Sequence, residues 1–336
     1  MRDIILPARL PWPADWTEIF GRSASLVIEI GFGNGEFLLD LAQKRPDQNF
    51  LGLEISLPSL YKAERKIERL GLSNVWAMQS QAKIALWALC LPGSVAEIYI
   101  NFPDPWPKPA HYERRLINDR FLHLAATRMA VGGRLSVATD DADYAAWIQE
   151  AFANCAYFEN PFTADYLTED KERLRTKYEK IAIAAGRTCH YFMRLRSPVP
   201  APDPFPIPTE LPMPHAIVTS PISLDETSRH FEPQSWSMGT THLRLNELYR
   251  SEFHEALMVD VYLSEEPLDQ RVMLVITRRK EGDYLIHLHE VGFPRPTTGI
   301  HFAVYRLAKW LAGLDPGGKI ESHKLTPAVL DEQRHA

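Results

Sequence analysis

Pro198 to Pro214 reads PVPAPDPFPIPTELPMP, eight prolines in seventeen residues. Each proline fixes φ at about −65° and removes a backbone donor, so neither a helix interior nor a central strand can run through this segment. Alternating prolines favour extended polyproline II, a semi-rigid spacer. Patterned sequence lies on both sides, which favours a domain linker over a ligand for a proline-recognition module. The 336 residues are therefore expected to form one domain over 1–197, a linker over 198–214 and a smaller domain over 215–330.

The first part alternates strand and helix signals. Leu26 to Ile30, Phe50 to Ile55, Asn74 to Met78, Val95 to Ile100 and Arg134 to Ala138 read as short buried strands. Between them, the spacing predicts helices over Gly35 to Arg45, Ser59 to Leu70, Ile84 to Leu89 and Leu116 to Met129, with Gly132-Gly133 as a stop for the last. Ala142 to Phe152 is a further helix, and Cys189 to Leu195 can pair back as a final strand. This βαβα rhythm predicts an α/β fold with a doubly wound parallel sheet. In the second part, His215 to Ser220, Leu257 to Leu263, Arg271 to Arg278 and Tyr284 to Leu288 look like strands, and Ile300 to Leu311 like a helix. A small α+β domain with an antiparallel sheet is expected there, without a catalytic motif. His287 and His289 share a strand face, but no third ligand at useful spacing accompanies them, and no metal is expected.

Charge and cysteine content narrow the function. The net charge of −6 does not advertise a nucleic-acid binder. Residues 200–336 hold 13 Lys and Arg against 19 Asp and Glu, whereas residues 1–199 hold 24 of each. A polyanion site must then be a local basic patch in the first part. Candidates are Lys62, Arg65, Lys66 and Arg69 on one helix, then Arg114, Arg115 and Arg120, then Arg173, Arg175, Lys177, Lys180 and Arg187. Cys90, Cys155 and Cys189 are scattered and form no zinc spacing, which suits a reducing, cytoplasmic setting. No run of eighteen apolar residues predicts a membrane span, and the Met1 to Pro7 apolar stretch is too short for a secretory signal.

Two loops carry the candidate chemistry. Glu29-Ile30-Gly31-Phe32-Gly33-Asn34-Gly35 ends the first strand and opens a helix, where glycines let a ligand approach the backbone. A dinucleotide fingerprint requires a third glycine where this chain has Glu36, and a carboxylate there would repel a pyrophosphate. The G-x-G-x-G spacing instead resembles the S-adenosylmethionine loop of class I methyltransferases. Glu29 suits a cationic ligand, and Glu54, ending the second strand, can accept from both hydroxyls of a ribose. The second loop is Asn101-Phe102-Pro103-Asp104-Pro105-Trp106-Pro107-Lys108, after the fourth strand. Three prolines stiffen a display of one carboxylate, one large ring and one ammonium at the sheet edge where open α/β folds bind ligands.

With this second loop the chain resembles the tRNA (guanine-N7-)-methyltransferase family. The resemblance spans roughly residues 25 to 195 and includes His111, Arg114, Arg115, Leu116-Ile117, Ala138-Thr139-Asp140 and Thr176-Lys177-Tyr178-Glu179. It implies a class I methyltransferase fold, S-adenosylmethionine as cofactor and tRNA as substrate, usually at a variable-loop guanine. It implies that Glu29, Gly31, Gly33, Gly35 and Glu54 bind the cofactor. Asp104, between cofactor and guanine, is the implied catalytic residue, with Lys108, Asp140, Thr176 and Glu179 contacting the substrate. Where the family has Asp-Ala, this chain has Gln81-Ala82. Gln81 can still accept from the adenine amine, at a cost on the order of 1 kcal/mol in lost charge assistance. Pro109-Ala110 also replaces basic residues that usually follow the lysine. Two further readings compete. One is an amino methyltransferase, to whose Asn/Asp-Pro-Pro-aromatic motif Asn101 to Trp106 is a distant cousin. The other is a protein that binds tRNA or cofactor without turnover. A nicotinamide dehydrogenase ranks last because of Glu36 and Glu29. Trp106 has two open roles, stacking on a base or packing on its own loop.

Overall fold

The computed structural model describes residues 10–170, 173–203, 207, 211–265, 268–291, 294 and 296–331. Met1 to Pro7 and the linker residues 204–206 and 208–210 lie outside the described residues. The chain divides into two compact units, Met1–Ile207 and Pro208–Ala336.

In the first unit, α1 (Trp16–Phe20) precedes β1 (Leu26–Ile30), α2 (Glu36–Lys44), β2 (Asn49–Glu54), α3 (Leu57–Leu70) and β3 (Val75–Gln79). Then come α4 (Ala82–Ile84), which runs into a π-helical turn over Ala85–Leu89, β4 (Val95–Asn101), a 3₁₀ turn over Pro109–Arg114 and α5 (Asp119–Arg128). The unit closes with β5 (Met129–Thr139), α6 (Ala142–Ala153), β6 (Phe158–Glu159), α7 (Lys177–Ala184) and β7 (His190–Arg196). The sheet order is β3-β2-β1-β4-β5-β7-β6. Strands β1 to β5 pair in parallel, and β7 runs antiparallel to β5. The order reverses between β1 and β4, so their carboxyl ends form a topological switch point, the place where doubly wound sheets bind ligands.

Burial follows from that architecture. Every residue of β1 is buried, as expected of a parallel strand covered on both faces. Phe37, Leu38 and Ala42 of α2 and Leu60, Ala63 and Ile67 of α3 close one core with Val27 and Phe50. Gly52 permits that closeness, since a Cβ there would sit 2.6 Å from Leu38 Cδ2 and from Phe32 Cδ1.

Some sequence expectations need correction. The helix expected from Leu116 begins at Asp119, where the Asn118 side chain accepts from the Phe121 N–H, and it ends at Arg128. Gly132-Gly133 does not stop it. Both glycines lie inside β5, at a bulge where the register with β4 shifts. Gly132 has φ 79°, and a Cβ on Gly133 would lie 2.7 Å from the Ala96 carbonyl oxygen, so the bulge requires glycine.

The second unit holds β8 (His215–Thr219), α8 (Leu224–Arg229), β9 (Gln234–Met238), β10 (Thr241–Arg250), β11 (Ala256–Glu265), β12 (Leu268–Arg278) and β13 (Tyr284–Leu288). It ends with α9 (Thr298–Ala312), β14 (Lys319–Lys324) and α10 (Pro327–Asp331). Seven antiparallel strands in the order β14-β8-β13-β12-β11-β10-β9 bury one face with α9, through Ile300, Val304, Leu307 and Leu311. The sequence reading found four of these strands and missed β9, β10 and β14. In β10 a bulge between Leu245 and Glu247 breaks the alternation that Leu243 and Leu245 begin. His287 lies on β13 and His289 just beyond it, and with His215 they line an open cleft of ≈620 Å³. Among the described residues, no group of three or more His, Cys, Asp or Glu is placed to hold a metal ion, and no helix is long and apolar enough to cross a membrane.

Candidate active site

The glycine loop folds as its composition requires. Gly31, Gly33 and Gly35 have φ of 72°, 54° and 74°, a region costly for side chains bearing a Cβ. Among the described residues, nothing lies within 4 Å of a Cβ placed on Gly31 or Gly33, so space remains above their backbone. The Gly31 N–H donates to the Leu53 carbonyl at 2.8 Å, and Lys66 Nζ donates to the Asn34 carbonyl at 2.8 Å. Lys66 is thus a brace of the loop rather than a member of an outward basic face.

Glu29 and Glu54 hold different stations. Glu29 is 2% exposed; its Oε1 accepts from Asn101 Nδ2 at 2.8 Å, and its Oε2 has no hydrogen-bond partner among the described residues. Burial pushes its pKa up to about 7, against the Asn101 hydrogen bond, the Arg173 charge and the Leu38 backbone N–H. A buried carboxyl with one idle oxygen is suited to a cationic partner. Glu54 is fully engaged in backbone contacts: Oε2 accepts from Gly33 N at 2.9 Å, and Oε1 from Ile55 N at 2.8 Å and Ser56 N at 3.0 Å. It clamps the glycine loop, and with Oε1 already accepting twice, Oε2 keeps a lone pair for a ligand hydroxyl. Ile55, 70% exposed, stands beside it as an apolar platform. Gln81 precedes α4 with an exposed side chain that makes no cap hydrogen bond.

The proline loop is held under strain. Phe102 and Trp106 are non-glycine residues with φ of 53° and 44°. Such residues cost on the order of 1–3 kcal/mol and persist where surrounding structure over-determines them. Phe102 is anchored by its N–H to the Ala138 carbonyl at 2.8 Å and by packing on the small core of Ala138, Ala182, Cys189 and Tyr191. Arg115 fixes the other end. It is buried, donates from Nε to the Pro105 carbonyl at 2.8 Å, and stacks its guanidinium 3.8 Å from the Tyr112 ring centre, with Tyr144 and Trp147 also near. The sequence reading placed Arg115 in a phosphate-binding collar; burial removes it from that role. Trp106 meets the His111 ring edge-on and carries the Arg114 guanidinium 5.0 Å over its face. Asp104 and Lys108 remain exposed on this rigid loop.

The third wall comes from the segment before and within α7. Thr176 is the N-cap, accepting from the Glu179 N–H, while the Glu179 carboxylate accepts from the Thr176 N–H. Thr176 to Glu179 is therefore a capping box. Glu179 is 1% exposed and also accepts from the Tyr191 hydroxyl at 2.9 Å. Asp140 pairs with Arg187 at 2.7 Å. Arg173 donates from Nη2 to Asn101 Oδ1 at 2.7 Å, so it too leaves the outward basic set. Lys62, Arg65, Arg69, Arg114, Arg120, Arg175, Lys177 and Lys180 stay exposed.

These walls meet in a cleft of ≈90 Å³ at the switch point, lined by Glu29, Gly31, Gly33, Asn101, Thr176 and Tyr178 among others. Of the expected residues, the structure gathers Glu29, Gly31, Gly33 and Thr176 in this lining. Gly35, Glu54, Gln81, Asp104, Lys108, Asp140 and Glu179 do not line it. Asn101 and Tyr178 join the lining as residues whose role the sequence reading did not assign, and Lys177, read there as a basic-collar candidate, lines the cleft too, while Arg173 reaches it through Asn101.

A family model described as a putative methyltransferase matches residues 23–192. The tRNA (guanine-N(7)-)-methyltransferase of Thermus thermophilus is 34% identical over 317 residues, covering 90% of this chain and 94% of that protein. This chain belongs to the tRNA (guanine-N7-)-methyltransferase family. The Thermotoga maritima member is 29% identical over 307 residues, covering 91% of this chain and 95% of its own. Among solved structures, the 16S rRNA methyltransferase KamB aligns with a TM-score of 0.44 and 17% identity, over 59% of this chain and 100% of that one. The matched residues 23–192 lie within the first unit, whose strand order β3-β2-β1-β4-β5-β7-β6 is that of a doubly wound sheet.

Proposed function

We propose that this protein transfers a methyl group from S-adenosylmethionine to N7 of a guanine in tRNA, at the variable loop. The observation that carries the reading is the meeting, at one switch point, of a buried carboxylate with an idle oxygen and a rigid proline loop displaying Asp104 and Lys108, in a chain of this family. When bound, S-adenosylmethionine supplies an electrophilic methyl group on a sulfonium. Glu29 would accept from its ammonium, Gly31 and Gly33 leave room beside it, Glu54 would accept from a ribose hydroxyl, and Gln81 from the adenine amine.

Guanine N7 carries an in-plane lone pair and no proton, so no general base is required to expose it. The residues of this chain have a simpler task, to place N7 in line with the methyl group and hold it. Positioning of this kind can lower a barrier by several kcal/mol, up to about 7–11. Asp104 can accept from guanine N1–H and N2–H2, donors that fix the base by its Watson–Crick edge. Lys108 and the exposed arginines and lysines would meet tRNA phosphates. Asp140 would act from beside Arg187. Thr176 and Glu179 would act through α7, whose Lys177 and Tyr178 face the cleft. The test is incubation with tRNA lacking 7-methylguanosine, followed by nucleoside analysis and mapping of the modified position. 7-Methylguanosine in the variable loop is expected; a methylated exocyclic amine instead would overturn the reading in favour of an amino methyltransferase.

A further inference from the structure

Asn101 sits between two groups of fixed chemistry. Arg173 can only donate hydrogen bonds, and its Nη2 lies 2.7 Å from one terminal atom of the Asn101 amide. That atom must be the oxygen. The amide nitrogen is then turned toward Glu29, and it lies 2.8 Å from Oε1. The amide orientation, otherwise an assignment open to a flip, is dictated by the arginine. The arginine is held in turn. Its guanidinium lies 5.0 Å from the Phe37 ring centre and 5.1 Å from that of Tyr191, and its Nε is 3.7 Å from Glu179 Oε2. Glu179 is the carboxylate that closes the capping box of α7.

We propose that Arg173 and Asn101 are positioning residues for the cofactor. Arg173 orients the Asn101 amide, and the amide holds one oxygen of Glu29, so that the other oxygen is left for the cofactor's ammonium. This inference rests on the methyl-transfer reading, since it takes the cation at Glu29 to be that of S-adenosylmethionine. Without the arginine the amide is free to turn its oxygen toward Glu29. Two oxygens would then face each other, and the ionised carboxylate would lose both a donor and a nearby positive charge. The consequence is a site that charges only at higher pH and binds its cation less tightly at neutrality. Among the described residues, Glu54 of β2 also acts on Glu29 through its charge, and Glu36 of α2 with Lys177 and Tyr178 of α7 are the other charged or titratable groups lining the same cleft. Arg173→Met leaves all of these in place.

The test titrates the full-length protein with S-adenosylhomocysteine between pH 5.5 and 8. Wild type is expected to bind more tightly as pH rises, with a midpoint close to 7. Arg173→Met is expected to bind about fivefold more weakly at pH 7, with its midpoint about one unit higher. Arg173→Lys, which restores a positive charge and donors, is expected to recover most of the midpoint shift. Asn101→Asp, which sets a second carboxylate against Glu29, is expected to weaken binding at pH 7 further, and it decides the matter if Arg173→Met does not fold. A merely structural arginine would lower the melting temperature and leave the midpoint where it is, and that result overturns the proposal. A wild type that binds no S-adenosylhomocysteine overturns instead the cofactor reading beneath it. A wild type that binds with a midpoint shared by Arg173→Met and Asn101→Asp overturns the relay alone.

Discussion

At the scale of single residues, burial gives Glu29 a raised pKa and hence a pH dependence of its own. Its carboxyl holds a proton up to about pH 7 in the fold, against an ordinary value of 4.5. Between those values the folded state binds a proton that the unfolded chain has released. The stability this group contributes is therefore fully present below pH 4.5 and is lost as pH rises to about 7, by on the order of 3 kcal/mol. Glu29→Gln should remove that fall, a difference that urea denaturation at pH 5 and pH 8 will read. A bound cation favours the ionised carboxyl, so cofactor binding at pH 7 should release about half a proton. Calorimetry in two buffers of unlike ionisation heat measures it, and no release would mean that Glu29 does not face the cation. The sequence made Glu29 legible because it ends a buried strand just before a glycine loop. Its dependence on Asn101 and Arg173 was not legible, since a contact across 72 residues leaves no local pattern.

At the scale of elements, local chemistry was readable where it repeats and hidden where a bulge or a cap intervenes. The parallel strands of the first unit announced themselves by apolar runs, as did Pro103, Pro105 and Pro107 by the backbone they forbid. Gly132-Gly133 was misread as a helix stop because two glycines serve a bulge as well as a cap. Thr176 to Glu179 was read as a substrate motif, although the same four residues spell a capping box for α7. The two roles separate by experiment. Thr176→Ala should cost about 1 kcal/mol of stability and Thr176→Ser almost none, because a serine hydroxyl caps as well. Equal loss of methyl transfer in both variants, with stability retained, would show instead that the threonine methyl meets the substrate.

At the scale of the whole molecule, the segment with eight prolines in seventeen residues contains the point, after Ile207, where the chain divides into two compact units. The first residues of that segment belong to the first unit's bonding. The Pro202 carbonyl accepts from His123 Nε2 at 2.7 Å, and Asp203 pairs with Arg128, a buried guanidinium, at 2.7 Å. A fragment ending at residue 207 should therefore be more stable than one ending at 197, by about 2–4 kcal/mol, because the shorter one strips a carboxylate from a buried arginine. Chemical denaturation of the two fragments checks it. Every residue proposed to act on cofactor or guanine lies in this first unit, so the account stands or falls on the proline loop. The most direct measurement is transfer of a labelled methyl group from S-adenosylmethionine into tRNA lacking 7-methylguanosine, by the intact protein and by Asp104→Ala, with the product nucleosides separated. Labelled 7-methylguanosine is expected from the intact protein and is expected to be lost in Asp104→Ala while S-adenosylhomocysteine still binds. Undiminished 7-methylguanosine from Asp104→Ala, or none from a cofactor-binding wild type, would contradict the methyl-transfer reading.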